Sequence, residues 1–243
     1  QGMVGAIFWR ILGWTVIWTI GATTLAIALG FILAIVLNND RIKGKVLFRS
    51  IYLLPWAVPA FISILFFSIL FADGGTVVNS LRNVFGPNFS IKNDTFTIRL
   101  TLICIQAWLG SAYIFLLSTG VLQSINAELY EAADIDGATS FKKLTKITVP
   151  LVLFQTAPLL VGQYTFNFNN FSIIALFNNG GPFDPSKYGN LAGSSDLLIS
   201  YIYKLTMNSQ YQAVGATITV IISIALIIIA YIGYKNTDAF KRG

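Results

Sequence analysis

Residues 131–138 have the sequence EAADIDGA, and residues 147–150 have the sequence ITVP. This polar stretch lies between two apolar runs, roughly residues 96–122 and 149–171. A helix needs about 20 predominantly apolar residues to cross the hydrocarbon core of a bilayer, and both runs reach that length. The stretch is therefore predicted to be a loop between two membrane spans.

Three further apolar runs of spanning length occupy roughly residues 11–37, 51–72 and 213–234. Their residues do not alternate between polar and apolar, and backbone groups in lipid must be paired within the segment, so helices are favoured over a barrel. Only 11% of residues are charged, and the mean hydropathy is +0.71. We predict an all-α integral membrane protein with five transmembrane helices, forming one domain over residues 1–243.

Basic residues predict the orientation of these helices, because cytoplasmic loops carry an excess of Lys and Arg. They concentrate in the linker between the first two spans, in the loop 123–148 and in the C-terminal tail. These residues are Arg41, Lys43, Lys45 and Arg49, then Lys142, Lys143 and Lys146, then Lys235, Lys241 and Arg242. The N-terminus is predicted to be outside and the C-terminus cytoplasmic.

Several classes of function are disfavoured by what the sequence lacks. The chain has no histidine and one cysteine, which disfavours a metal site or an intramembrane enzyme. The net charge of +6 comes from residues that flank the spans, so no nucleic-acid partner is expected. Residue 1 is Gln, and no signal peptide precedes the first span. We therefore expect a fragment of a longer chain.

The loop 123–148 is predicted to contain a helix of about two turns. Glu128, Glu131 and Asp134 fall near its start, where negative charge suits the helix dipole. Gly137 can adopt the left-handed conformation that ends a helix, and the small alanines nearby would let the helix lie close to a partner groove. An ordinary amphipathic interfacial helix with a Gly cap is the alternative interpretation.

Residues 131–133, 136–138 and 147–150 together resemble the EAA motif of binding-protein-dependent ABC importer permeases, which have a MetI-like core. The sequence departs from the common motif at Leu144 and Val149, and both keep an apolar residue. The resemblance implies a coupling helix that docks on a separate ATPase subunit. That ATPase would bind ATP and Mg. This chain lacks a GxxxxGK[ST] phosphate loop, and no cofactor is expected in it. The implied ATPase-coupling residues are Glu131, Ala132, Ala133, Asp136, Gly137 and Ala138.

Two stripes of amide and aromatic residues lie on the third and fourth spans at helical spacing. They are Gln106, Leu109, Gly110 and Tyr113 on the third span and Gln163, Phe166, Asn167 and Asn170 on the fourth. Amides can donate to and accept from sugar hydroxyls, and a ring can cover the apolar side of a pyranose. Because no charged residue falls in the middle of a span, an ionic substrate is disfavoured. Interhelical hydrogen bonding is the alternative role for both stripes.

The prolines and one outer segment carry further predictions. Pro55 and Pro59 should break or kink the second span, and Pro158 the fourth. In the last outer loop, a short helix is predicted after Ser194, Ser195 and Asp196. Its apolar stripe should rest on the bundle.

A second resemblance covers nearly the whole chain. The markers LLPWAVP at 53–59, WLG at 108–110, NFNNF at 167–171 and NGGP at 179–182 are similar to those of the larger subunit of maltose and maltodextrin permeases. In that family the two stripes line the sugar path. The resemblance implies a bacterial or archaeal cytoplasmic (inner) membrane location and a longer N-terminal region. It also implies as partners a second permease subunit in a heterodimer, two ATPase subunits, an extracytoplasmic sugar-binding protein, an oligosaccharide and membrane lipid. The alternatives are a permease for another neutral solute and a passive channel or scaffold.

Overall fold

The computed structural model describes residues 2–39, 42–207 and 211–235. Three of the basic residues used to predict the orientation lie outside the described residues: Arg41, Lys241 and Arg242. Within these ranges the chain forms helices and no strand. They are α1 (Gly2–Leu37), α2 (Lys45–Ala57), α3 (Ala60–Leu70), α4 (Thr76–Phe85), α5 (Thr95–Ser124), α6 (Ala127–Ile135), α7 (Ser140–Lys143), a π-helical turn (Leu144–Thr148), α8 (Val149–Phe168), α9 (Phe171–Phe177), α10 (Pro185–Tyr188), α11 (Leu198–Met207) and α12 (Gln212–Lys235).

Four stretches are long and apolar enough to cross a membrane. They are Gly5–Leu37, Thr95–Ser124, Ser140–Phe168 and Gln212–Lys235. A fifth crossing is formed by α2 and α3 together, which meet at an angle of 90°. The predicted all-α membrane fold is therefore confirmed, but the second span is a bent pair rather than one helix over 51–72.

The bend between α2 and α3 follows from Pro59. A proline disfavours the helical conformation of the residue before it, and Val58 is extended, with φ −81° and ψ 134°. Pro59 also lacks the N–H that would continue the helix. By contrast, α2 continues through Pro55 and α8 continues through Pro158 to Phe168. The predicted breaks at Pro55 and Pro158 were therefore wrong, and only Pro59 ends a helix.

The core of the bundle is the packing of α1 against α5. Trp14, Trp18 and Ala22 of α1 are buried with Ile98 and neighbouring residues of α5. Gly30 lets the two backbones approach, since a Cβ there would lie only 2.8 Å from the Cβ of Ile114. Close approach at small residues is how membrane helices gain packing energy in lipid.

The outer segment 178–207 packs against the N-terminal part of α1. Residues Leu198, Tyr201, Ile202 and Leu205 of α11 are buried in one cluster with Ile7 and Ile11 of α1. The prediction that this helix rests on the bundle is confirmed. The short connection between the first two spans and the loop containing α6 meet at the other end, where Asn38, Asn39 and Tyr130 line one cavity. This shared end agrees with the predicted orientation.

A buried ion pair fixes the outer segment. The Asp196 carboxylate is fully buried and lies 2.7 Å from the Lys204 ammonium. It also accepts hydrogen bonds from the Ser200 hydroxyl at 2.8 Å and the Gly193 N–H at 2.7 Å. Gly180, at φ 84°, lies against this carboxylate with no room for a Cβ.

Replacement of Asp196 by Ala is expected to destabilise the protein by about 3 kcal/mol, because the half-buried Lys204 would lose its counter-charge and the Ser200 hydroxyl and Gly193 N–H would lose their acceptor. Thermal unfolding of the purified protein in detergent measures the change. Asp184→Ala is the matched control, because Asp184 pairs with Lys187 at the exposed surface and should show no measurable loss. Equal melting temperatures for the two variants would contradict this role of the pair.

Candidate functional site

A cavity of about 590 Å³ opens among α2, α3, α5, α8 and α9. This volume lies within the range of roughly 300–1,000 Å³ that is typical of small-molecule sites. Leu109 and Gly110, which line it, stand at the midpoint of α5. The cavity therefore lies at mid-height of α5, one of the two helices that form the core of the bundle.

The cavity brings together most of the residues predicted from the two stripes. All four residues of the α5 stripe line it, and so do three of the four from the second stripe. The lining residues from the prediction are Gln106, Leu109, Gly110, Tyr113, Gln163, Phe166 and Asn170. Asn167 is the exception, because it is buried away from the cavity.

The second stripe does not lie on one continuous helix as predicted. Helix α8 ends at Phe168, and Asn169 leaves it with φ −101° and ψ 20°. Asn side chains compete with helical hydrogen bonds, and the Asn169 amide donates to the Thr165 carbonyl at 3.2 Å. Asn170 then caps α9, accepting from the Ile173 N–H at 3.5 Å. It reaches the cavity through this break, and the predicted helical spacing was wrong beyond Phe168.

Asn167 joins three helices. Its side-chain oxygen accepts from the Gln106 amide at 2.9 Å, and its amide donates to the Thr23 hydroxyl at 2.9 Å. The Trp18 indole N–H donates to its backbone carbonyl at 2.9 Å. At this position the alternative role of interhelical hydrogen bonding describes the geometry. Gln106 belongs to both arrangements, since it also lines the cavity.

The lining of the cavity is uncharged. Among the described residues that form it, none is Asp, Glu, Lys or Arg. Phe166 and Trp56, which are 59% and 54% exposed, add aromatic rings to this lining, and Gln106, Gln163 and Tyr113 add amide and hydroxyl groups. This combination suits an uncharged, hydroxylated ligand.

One wall of the cavity was missed by the sequence reasoning. Residues 55–60, at the α2–α3 break, line it in an unbroken run, and Asn169 also contributes. The signal was present in the two prolines of LPWAVP, which were interpreted as kinks and as part of a family marker but not as cavity lining. A helix break in lipid is itself a sign of a cavity, because irregular backbone is tolerated there only where it is buried or lines one.

The loop of residues 123–148 forms the predicted short helix, α6. Asn126 caps its start, accepting from the Glu128 N–H at 3.1 Å. At its end Gly137 has φ 72°, and the N–H groups of Gly137 and Ala138 bond the carbonyls of Asp134 and Ala133 at 3.0 and 2.8 Å. This is a Schellman motif, which confirms the predicted end of the helix.

One face of α6 is open to solvent. Glu128, Glu131, Ala132 and Ile135 share that face and are exposed. Asp136 and Gly137 are also exposed, whereas Ala138 is half-buried and Ala133 is buried against the protein itself. Ala133 is therefore not part of the free surface of the helix, where it was expected. Leu129, Ile135 and Phe141 add exposed apolar area that the motif did not predict.

Two contacts join α6 to the segment that leads into α8. The Tyr130 hydroxyl lies 2.9 Å from the Thr148 hydroxyl, and the Lys143 ammonium lies 2.7 Å from the Asp134 carboxylate. Thr148 ends the π-helical turn that leads directly into α8, and α8 carries Gln163 and Phe166 to the cavity. The loop and the cavity are thus joined by one helix.

Helices that break around an uncharged cavity, with an exposed helix on a loop at one end of the bundle, are typical of transport permeases. The chain belongs to the family described as binding-protein-dependent transport system inner membrane component, whose model matches residues 26–242. This assigns it to the inner membrane, as predicted.

Curated relatives in this family are similar over nearly all of the chain. The maltodextrin transport system permease protein MdxF of Bacillus subtilis is 52% identical over 96% of this chain and 55% of that protein. The galactooligosaccharides transport system permease protein GanP of the same organism is 48% identical over 97% of this chain and 56% of that protein. The chain therefore spans about half the length of the relatives it matches.

A solved structure shares the fold. A bacterial ABC transporter involved in the import of the acidic polysaccharide alginate matches with a TM-score of 0.77 and 21% sequence identity. The match covers 95% of this chain and 80% of that one. At this identity the match supports the ABC importer permease fold.

Proposed function

We propose that this chain is the substrate-conducting subunit of an ATP-driven importer for a neutral oligosaccharide of the maltodextrin class. The observation that carries the proposal is the uncharged cavity of amides and rings at the midpoint of α5. The names of the relatives MdxF and GanP agree with an oligosaccharide cargo. Galactooligosaccharide is the second candidate, because the two relatives differ by only a few per cent in identity.

The proposed transporter has further subunits. A second permease subunit would complete the path as a heterodimer, and two ATPase subunits would bind ATP and Mg. An extracytoplasmic sugar-binding protein would deliver the substrate. The exposed face of α6 would dock in a cleft of one ATPase, with Glu131 facing a basic group there.

The proposed mechanism is alternating access driven from the loop. ATP binding closes the ATPase subunits and displaces α6, and the contacts at Thr148 and Asp134 pass this displacement to α8. Movement of α8 carries Gln163 and Phe166 and so changes the shape of the cavity. This chain supplies binding and conduction, and the chemistry of hydrolysis takes place on the partner.

A panel of sugars tests the proposed cargo. The full-length permease is assembled with its partners in proteoliposomes, and uptake of labelled maltotriose is measured in competition with unlabelled solutes. We expect maltodextrins to compete best, galactooligosaccharides less well, and uronic-acid oligosaccharides not at all. Stronger competition by the anionic sugars would refute a neutral cargo.

Phe166→Ala is expected to reduce maltotriose uptake about tenfold or more, because an exposed ring is lost from the cavity. Phe154→Ala is the matched control, since Phe154 is a half-exposed ring on the same helix outside the cavity lining. Uptake rates are compared at equal amounts of assembled complex. Normal uptake by Phe166→Ala would mean that this ring only packs.

Glu131→Ala is expected to reduce substrate-stimulated ATP hydrolysis, because it removes the charge at the proposed docking face. Sugar binding should be retained, since Glu131 lies on the cytoplasmic loop, away from the cavity. Asp184→Ala removes an exposed carboxylate from the outer segment and should leave ATPase stimulation unchanged. A scaffold or passive channel would show no effect of either substitution on ATP hydrolysis.

A further inference from the structure

The connection between α3 and α5 contains an amphipathic helix, α4, whose apolar side is only partly covered. Its apolar and polar residues lie on opposite sides, and Arg82 is the one charged residue in the helix. The apolar side consists of Val77, Val78, Leu81, Val84 and Phe85, and the polar side of Thr76, Asn79, Ser80 and Asn83. A helix with this pattern is stable where an apolar surface covers one side and water the other.

Contacts with the protein cover one part of the apolar side and fix the rotation of the helix. Val78 is completely buried. The Arg82 guanidinium donates to the Asp73 carbonyl at 2.9 Å and lies 3.3 Å from the Asp73 carboxylate. In the last turn of the apolar side, Val84 and Phe85 are 75% and 66% exposed. The held residues thus leave these two side chains directed away from the protein.

Phe89 enlarges this exposed apolar surface after the helix ends. Gly86 follows α4 with φ 99°, a conformation that few other residues adopt, and its carbonyl accepts from the Phe89 N–H at 3.1 Å. The chain turns back here, and the rings of Phe85 and Phe89 stack with their centroids 5.1 Å apart. The Arg82 guanidinium also donates to the Phe89 carbonyl at 2.9 Å, so the same side chain holds both parts of the surface.

Helix α4 begins directly at the outer end of a membrane span. α3 ends at Leu70 and α4 begins at Thr76, and Gly75 lies against the Leu70 carbonyl with no room for a Cβ. After α4, the Lys92 ammonium donates to the Ser68 hydroxyl, in the last turn of α3, at 2.8 Å. The connection is therefore held at both ends to the place where α3 leaves the bilayer.

The exposed side of α3 indicates that lipid covers the apolar side of α4. Ile62, Leu65, Phe66 and Ile69 recur at helical spacing and are all exposed, as expected for a span in contact with hydrocarbon. Ile69, in the last turn, is 73% exposed, so this apolar surface reaches the level at which α4 begins. The exposed apolar surfaces of α3 and α4 thus meet at the boundary of the membrane.

The charge of α4 indicates which part of the lipid it contacts. Basic residues on the polar side usually draw an interfacial helix to anionic headgroups. Here the only cation, Arg82, is bonded to Asp73 and to the Phe89 carbonyl, and the polar side carries neutral side chains. The contact with lipid is therefore expected to be apolar and to need no anionic lipid.

We propose that α4 is an interfacial helix that rests in the outer leaflet of the membrane. Val84, Phe85 and Phe89 lie in the boundary between headgroups and acyl chains, about 5–10 Å deep, and the polar side faces water. The helix holds the outer end of α3 at a fixed depth, so the bent pair of α2 and α3 is anchored at that end. This lipid contact involves neither sugar nor ATPase, so it goes beyond the proposed function and can be tested separately from it.

The depth of α4 is measured by spin labelling of the full-length transporter reconstituted in phosphatidylcholine vesicles. Val84→Cys carries the nitroxide, in a background in which Cys104 and any other cysteine are replaced by Ser. Asn83→Cys is the matched control, because Asn83 is the adjacent exposed residue on the polar side. The Val84→Cys label should collide often with oxygen, which partitions into lipid, and rarely with a water-soluble nickel chelate. The Asn83→Cys label should show the reverse.

Two other results of this measurement would overturn the proposal. Equal access of the nickel chelate to both labels would mean that the apolar side of α4 lies in water. A Val84→Cys label reached by neither oxygen nor nickel would mean that another protein surface covers the helix.

A second pair of variants tests whether the contact is apolar. Phe85→Asp should raise the nickel accessibility of the Val84→Cys label several-fold, because a carboxylate is disfavoured in an apolar environment. Asn83→Asp adds the same charge on the polar side and should leave that accessibility unchanged. In the parent, vesicles made of equal parts phosphatidylcholine and phosphatidylglycerol should give the same depth as phosphatidylcholine alone. An unchanged label in Phe85→Asp, or a depth that requires phosphatidylglycerol, would contradict the proposal.

Discussion

A backbone group inside a bilayer has no water to bond, so a membrane helix can stop only where the freed groups find another partner. Two helices of this protein are interrupted next to each other in the bundle, α2 before Pro59 and α8 at Asn169. Both interruptions border the same cavity. The cavity is therefore lined by interrupted helix ends as well as by side chains of continuous helices.

The rest of the bundle holds these interruptions in place. Helices α1 and α5 pack along their length through buried indole rings and a close approach at Gly30. Asn167 then joins α8 to both of them, one residue before α8 ends. From this fixed region α8 runs back about 25 Å to the cytoplasmic loop, where α6 is attached to its base. A displacement of α6 thus has a continuous path to the cavity.

Much of this arrangement was predictable from the sequence. The apolar runs predicted the spans, because the bilayer sets the length of a span. Gly137 predicted the end of α6, because few other residues adopt its left-handed conformation. The amide and aromatic stripes led to most of the cavity lining, since helical spacing holds along α5. Helical spacing failed at the end of α8, because the helix ends at Asn169 and Asn170. The sequence pattern also could not show that the Asn167 amide bonds neighbouring helices and does not line the cavity. Trp56 was missed because its helix was assumed to run straight through the prolines.

The central claim is that the cavity between the broken helices holds the transported sugar. A cryo-electron microscopy map of the assembled transporter, trapped with maltotriose, tests it most directly. The account predicts sugar density between Phe166 and Tyr113, with one ring against Trp56, and α6 seated on an ATPase subunit. Sugar located elsewhere, or a cavity filled by lipid or by side chains of the second permease subunit, would contradict it.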